Sequence, residues 1–249
     1  MSNLKTYREN PIEQQRIKSL MDLLPKNGAT ILDVGARDGY ISIALTSFFE
    51  FVTAIDLKEP CILNEKVSCM KGDITSLNFP DNSFDVVLCA EVLEHIQPNF
   101  LEKACQELTR VTKRFLLIGV PYKEDTRVGR TTCYNCGKKN PQWAHINKFD
   151  ENILKNLFKN LTCEKIEYVS ENNSKTNFIS TFFMDLGGNI YGTYLQEEPC
   201  IYCGNKLKAP IKINPLKKIV TKLAIYLNRI QANFISINPN WIHILFRKT

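Results

Sequence analysis

Two runs of one pattern, Cys133-Tyr-Asn-Cys136-Gly137 and Cys200-Ile-Tyr-Cys203-Gly204, carry the residues best suited to hold an ion. Two thiolates three positions apart in a tight turn converge on one tetrahedral centre, and a glycine permits the turn that follows. Together the two knuckles offer the four sulfurs of a structural Zn2+ site, tying two distant loops together. Such a site is closed to substrate, so the ion is scaffolding and not catalyst. A redox dithiol would leave its twin unexplained. A second group is Glu91-Val-Leu-Glu94-His95. Carboxylate oxygens with an imidazole can hold Mg2+ or Mn2+ with open positions, and such an ion could bind two neighbouring hydroxyls and acidify one. The alternative is that these residues cap a strand and hold no metal. His145 is then the candidate general base, since an imidazole titrates near neutrality (about 6.5). Of the three histidines, His243 alternates within a strand-like run and reads as structural. A third group is Asp33-Val34-Gly35-Ala36-Arg37-Asp38-Gly39, with Asp56 following 23 residues after Asp33. Glycines at a strand-to-helix junction allow a tight turn and close approach of a ligand, and an acid at that distance is placed to bind a ribose diol. The arrangement points to a nucleoside-containing cofactor. The dinucleotide fingerprint Gly-x-Gly-x-x-Gly fails, because its third and sixth positions are Arg37 and Tyr40.

The elements that must position these groups read as alternating strands and helices. Apolar strands are predicted at 31–34, 51–55, 67–70, 84–90 and 114–120, with helices at 11–24, 40–49 and 98–111. Strands that are apolar throughout and alternate with helices indicate a parallel sheet covered on both faces. Asp150 is read as the cap of a further helix, 163–169 as a strand, 216–237 as a helix and 241–246 as a last strand. The stretches 123–142 and 171–214 read as loop and irregular chain.

The glycine turn resembles the first motif of class I S-adenosylmethionine (SAM)-dependent methyltransferases. Asp56 resembles their ribose-binding acid, Gly72-Asp73-Ile74 their adenine turn, and Phe84 to Ala90 with Glu91 to His95 their fourth strand and its exit. The resemblance covers roughly residues 28 to 121. It implies a Rossmann-like α/β fold: a mostly parallel seven-stranded sheet with helices on both faces and Trp241 to Phe246 as the antiparallel closing strand. It also implies cofactor contacts at Asp33, Gly35, Ala36 and Gly39, at Asp56 and Leu57, at Asp73 and Ile74, and at Ala90 and Glu91. The family's middle glycine is Arg37 here, and Ala36 replaces a frequent Cys or Gly. Glu91, Glu94 and His95 are also similar to the metal-binding run of ubiquinone-biosynthesis O-methyltransferases and of small-RNA 3′-end 2′-O-methyltransferases; in the latter a further histidine comes from a later segment, which His145 would match here.

Charge is segregated. Residues 205–249 carry nine Lys and Arg and no acid, leaving 23 basic against 26 acidic residues, or −3, in the rest. The apolar residues Leu216, Val220, Leu223, Leu227, Ile230 and Phe234 recur at helical spacing beside Lys217, Lys218, Lys222 and Arg229. A helix over 215–237 would pack on its own domain, lie on a membrane surface or form a dimer seam. No secretory signal or membrane-length apolar run is visible, so the expectation is a cytoplasmic chain, with peripheral membrane contact through that helix as an option. Nine cysteines in a reducing compartment are not expected to pair as disulfides. The expected organisation is one domain with insertions at 122–149 and 171–214 forming a zinc-bound cap. The expected reaction is O-methylation of a sugar or small hydroxylated metabolite. RNA 2′-O-methylation is the alternative, disfavoured by the acidic body, and a non-enzymatic SAM-binding zinc scaffold is the other.

Overall fold

The computed structural model describes residues 8–26, 28–172 and 174–249. In chain order the elements are α1 (Pro11–Leu23), β1 (Thr30–Val34), α2 (Tyr40–Leu45), β2 (Phe51–Asp56), β3 (Val67–Lys71) and β4 (Phe84–Ala90). Then follow α3 (Pro98–Val111), β5 (Thr112–Pro121), β6 (Thr131–Thr132), β7 (Lys139–Asn140), α4 (Glu151–Leu157) and β8 (Thr162–Val169). The last are α5 (Phe178–Leu186), α6 (Pro215–Ala232) and β9 (Trp241–Arg247). Start signals are chemical: Asn10 and Asp150 accept backbone N–H bonds as caps of α1 and α4, and proline opens α1, α3 and α6.

The chain divides into two compact units, the first comprising Met1–Tyr122, Phe149–Ser170 and Pro239–Thr249. Its seven-stranded sheet has the order β3-β2-β1-β4-β5-β9-β8. β9 is antiparallel to both neighbours, and the other pairs are parallel, so the last strand of the chain inserts between β5 and β8. Every residue of β4 from Val86 to Cys89 is buried, as a strand covered on both faces must be. On one face Ala104, Cys105, Leu108 and Val111 of α3 and Leu154 of α4 pack against Leu32, Val87, Leu116 and Ile118. On the other, Leu20 and Leu23 of α1 and Leu45 of α2 pack against Ile31, Val52, Val86, Leu88 and Leu117. His243 is buried in this core with Ser19 Oγ 2.8 Å from Nδ1, and burial pushes its pKa down to about 3, so it is a neutral structural residue.

The second unit comprises Lys123–Lys148 and Glu171–Asn238, so the two insertions and the basic helix form one body. Four expectations are corrected by these elements. The segment read as loop contains the hairpin β6–β7, and the segment read as irregular contains α5. The predicted helix over 216–237 ends at Ala232. α2 is likewise shorter than predicted: it stops at Leu45, where the Thr46 hydroxyl bonds the carbonyl of Ile43. No described helix is long and apolar enough to cross a membrane.

One guanidinium holds the loop that follows β3. Arg110 donates to the carbonyls of Phe79 (2.6 Å) and Leu77 (2.8 Å) and to the carboxylates of Glu107 and Asp81. Glu107 in turn accepts the backbone N–H of Leu77 at 2.7 Å. Arg110→Ala is therefore expected to cost about 1–3 kcal/mol, because two partly buried carbonyls lose their donor. Urea unfolding reads this as a lower midpoint at unchanged m-value.

Candidate functional site

In the first unit the residues singled out from the sequence leave the carboxyl ends of four parallel strands. Gly35 to Gly39 follow β1, Asp56 and Leu57 end β2, Gly72 to Ile74 follow β3, and Glu91 to His95 follow β4. The order β3-β2-β1-β4 reverses direction between β1 and β4, which opens a crevice at that edge. The glycine turn is built for this place. Gly35 and Gly39 have φ of 80° and 79°, and a Cβ on either would lie 2.3 Å from a side-chain carbon of Val92 or Ile62. Arg37 also sits in the left-handed region, at φ 51°, which explains a family preference for glycine there and costs an arginine about 1 kcal/mol. The N–H groups of Gly35 and Ala36 both donate to the carbonyl of Ile55, and Arg37 N–H donates to Asp56 Oδ2 at 2.9 Å. The turn and Asp56 are thus bonded into one unit.

The other positions differ in setting. Ala36 and Ile74 are buried, Leu57 and Asp73 exposed, Ala90 and Glu91 half-buried. Asp73 Oδ1 accepts both the N–H and the hydroxyl of Thr75, and that backbone bond holds its carboxyl below the usual range. Glu91 has φ 58° and donates its N–H to Gly119, so the chain leaves β4 through a strained turn into the short 3-10 helix Leu93–His95. Glu94 is buried in that helix and His95 half-buried. Asp33 is buried and accepts a 2.6 Å bond from Ser42 Oγ at the start of α2, a partner with no signature in the sequence.

In the second unit the four knuckle cysteines converge, with their sulfurs all within 4.8 Å of one another. Cys133 and Cys203 sulfurs are 3.7 Å apart, and Cys136 and Cys200 sulfurs 3.6 Å. Disulfides need about 2.05 Å. A tetrahedral ion with Zn–S bonds of about 2.3 Å needs sulfurs about 3.8 Å apart, so the donor set fits such an ion. Both knuckles have the same backbone pattern: Gly137 N–H to Cys133 O and Cys133 N–H to Lys138 O, then Gly204 to Cys200 and Cys200 to Asn205. Gly137 and Gly204 have φ of 68° and 70°. Asn205, by donating to the sulfur, brings the Cys203 thiol down to about 6, and Asn140 Oδ1 ties the knuckles by accepting Ile201 N–H.

His145 also belongs to this unit. Its Nδ1 lies 2.7 Å from Glu124 Oε2, an orienting carboxylate that sequence reading missed because 21 residues separate the two. It follows Trp143 and Ala144, both at positive φ, a strained pair of the kind concentrated at functional sites.

Strand order, one antiparallel strand and the glycine turn define the first unit as having the Rossmann-like fold of class I methyltransferases. Residues 32–115 match the methyltransferase domain family. The YcgJ protein of Bacillus subtilis (strain 168), an uncharacterized methyltransferase, is 30% identical over 108 residues, 38% of this chain and 42% of that protein. A ubiquinone biosynthesis O-methyltransferase of Coxiella burnetii is 31% identical over 113 residues, 41% of this chain and 46% of that protein. The chain thus spans less than half the length of these relatives. Among solved structures, a Burkholderia thailandensis 1,6-didemethyltoxoflavin-N1-methyltransferase with bound S-adenosylhomocysteine has a TM-score of 0.57 at 14% identity. That match covers 100% of this chain and 83% of the other.

Burial raises the Asp33 carboxyl to about 6 despite the Ser42 bond. Its unfolded value is about 3.9, so the native protein holds this proton over a range where the unfolded chain has lost it. The associated stability is full below about pH 4 and lost as pH rises through about 6, a loss of about 3 kcal/mol. Asp33→Asn is expected to flatten that decline. Urea midpoints measured from pH 4 to 8 on both proteins check this, and an unchanged slope in the variant would refute the assignment.

Proposed function

We propose that the protein is a SAM-dependent methyltransferase that methylates a hydroxyl of a sugar or small hydroxylated metabolite, with a structural zinc in its second unit. The observation that carries the cofactor reading is Asp56 at the end of β2, its carboxylate oriented by the amide of Arg37 inside a glycine turn at the strand-order reversal. The bound cofactor would supply an electrophilic sulfonium methyl. Asp56 would accept hydrogen bonds from the ribose diol, and the Asp73-Ile74 turn would border the adenine. Glu91, Glu94 and His95 at the exit of β4 would border the methyl-transfer centre. In the second unit His145, its ring oriented by Glu124 Oε2 2.7 Å from Nδ1, is the candidate general base. The hydroxyl class is supported by the C. burnetii relative, an O-methyltransferase by name.

Methyl transfer from radiolabelled SAM into separated glycan, RNA, protein and small-molecule fractions tests the activity. Label in the glycan or small-molecule fraction is expected. Label in RNA alone would overturn the acceptor class, and no label in a SAM-binding protein would favour a scaffold. Repeating the assay with a chelator, and with Glu94→Ala, reads any dependence on Mg2+ or Mn2+. Asp56→Ala should weaken SAM binding by at least about tenfold in calorimetry, because charge-assisted bonds to the ribose are lost; unchanged affinity would remove Asp56 from the site.

The zinc reading rests on the four sulfurs at tetrahedral spacing and on the paired knuckles. Elemental analysis should find one zinc per chain. Cys136→Ser should release it and lower the melting temperature, since binding energy at a structural site is folding energy. A zinc-free protein with the same melting temperature as its Cys136→Ser variant would overturn the reading.

A further inference from the structure

α6 buries the wrong face for an ordinary packed helix. Its fully buried residues are the small Thr221 and Ala224, and Asn228 Oδ1 accepts the Thr176 hydroxyl and Gln231 the Asn177 amide just ahead of α5. The helices are antiparallel, since a Cβ at Gly187, after the end of α5, would meet Thr221 and Lys217 near the start of α6. Val220, Ile225 and Leu227 are half-buried, but five larger apolar residues are exposed. Leu216, Ile219, Leu223, Tyr226 and Ile230, spaced 3, 4, 3 and 4 apart, form one stripe, each between 42 and 66% exposed. On α5, Phe178, Ile179, Phe182 and Leu186 share a face and are exposed by 55 to 81%. Turning each antiparallel helix away from its contact face at about 100° per residue brings both stripes to the same side of the pair. Contiguous apolar surface of this kind marks a docking site.

We propose that the α5–α6 pair docks this face into an anionic lipid bilayer. The charge pattern selects the occupant. Lys218, Lys222 and Arg229, spaced 4 and 7 apart, form a basic stripe beside the apolar one, and residues 205–249 carry no acid. A second copy on this face would set basic stripe against basic stripe. A nucleic acid would satisfy the cations but leave the Leu and Ile stripe in water. A bilayer offers both an anionic surface and an apolar layer beneath it. α6 is 18 residues and carries four cations (Lys217, Lys218, Lys222 and Arg229), so it lies in the interface plane and does not span it.

The inference is independent of methyl transfer, and its test reads binding alone. The full chain is floated with phosphatidylcholine vesicles, with and without phosphatidylglycerol. Retention on the anionic vesicles, weakened by salt, is expected. Lys218→Gln with Lys222→Gln should lower the partition coefficient by roughly thirtyfold. Phe182→Asp with Ile219→Asp should abolish it at an unchanged melting temperature, since both side chains are already exposed. Equal binding to neutral and anionic vesicles would overturn the proposal. So would no vesicle binding, including the case where sedimentation velocity finds a dimer that these Asp substitutions dissociate.

Discussion

The parallel sheet of the first unit imposes the constraint on which everything else depends. Parallel strands release their connections at the same edge, and the chain moves outward in opposite directions from β1 and β4, leaving a crevice between them. Residues as far apart in sequence as Gly35 and His95 meet one edge for that reason. The cost is concentrated in the turns, where Gly35, Arg37, Gly39 and Glu91 all take left-handed backbone. Those turns hold because β1 and β4 beneath them are buried on both faces and cannot shift.

The second unit is held together by different means. The apolar cluster around its knuckles is small, with Cys133, Tyr194, Cys200 and Leu207 as its buried members. Polar links supplement it: Asp185 accepts from Arg130, Lys139 and Asn189, and Asp125 from Arg127 and Thr176. A body with so little apolar core gains much from a cross-link, which is the physical case for an ion on the four sulfurs. The same economy explains α6: its partner α5 offers a face suited to Thr221 and Ala224, so the larger apolar residues are left for another surface.

The first unit was legible in the sequence because its signals are local. Continuous apolar runs mark β1, β4 and β5; proline and capping residues mark where α1, α3 and α4 begin; and the spacing of Asp33, Gly35, Gly39 and Asp56 is set by one strand–turn–helix–strand unit. The four knuckle cysteines were legible for the same reason, since Cys-x-x-Cys-Gly encodes its own turn. β6, β7 and α5 were not, because two-residue strands have no periodicity to detect and α5 is short and apolar nearly all round.

By itself the sequence determined the strand and helix order of the first unit, the acid that ends β2 and the two knuckles, all written within stretches short enough for neighbouring residues to dictate. Only the tertiary structure decided which partners those groups meet. Ser42 against Asp33, Glu124 against His145, and Cys133 against Cys203 are side-chain pairings that no local pattern encodes. It decided also which side of α6 is covered. A helical stripe specifies a face, but whether that face meets protein depends on what the neighbouring elements present; here Thr221 and Ala224 are covered while Leu216, Leu223 and Ile230 of the stripe stay exposed.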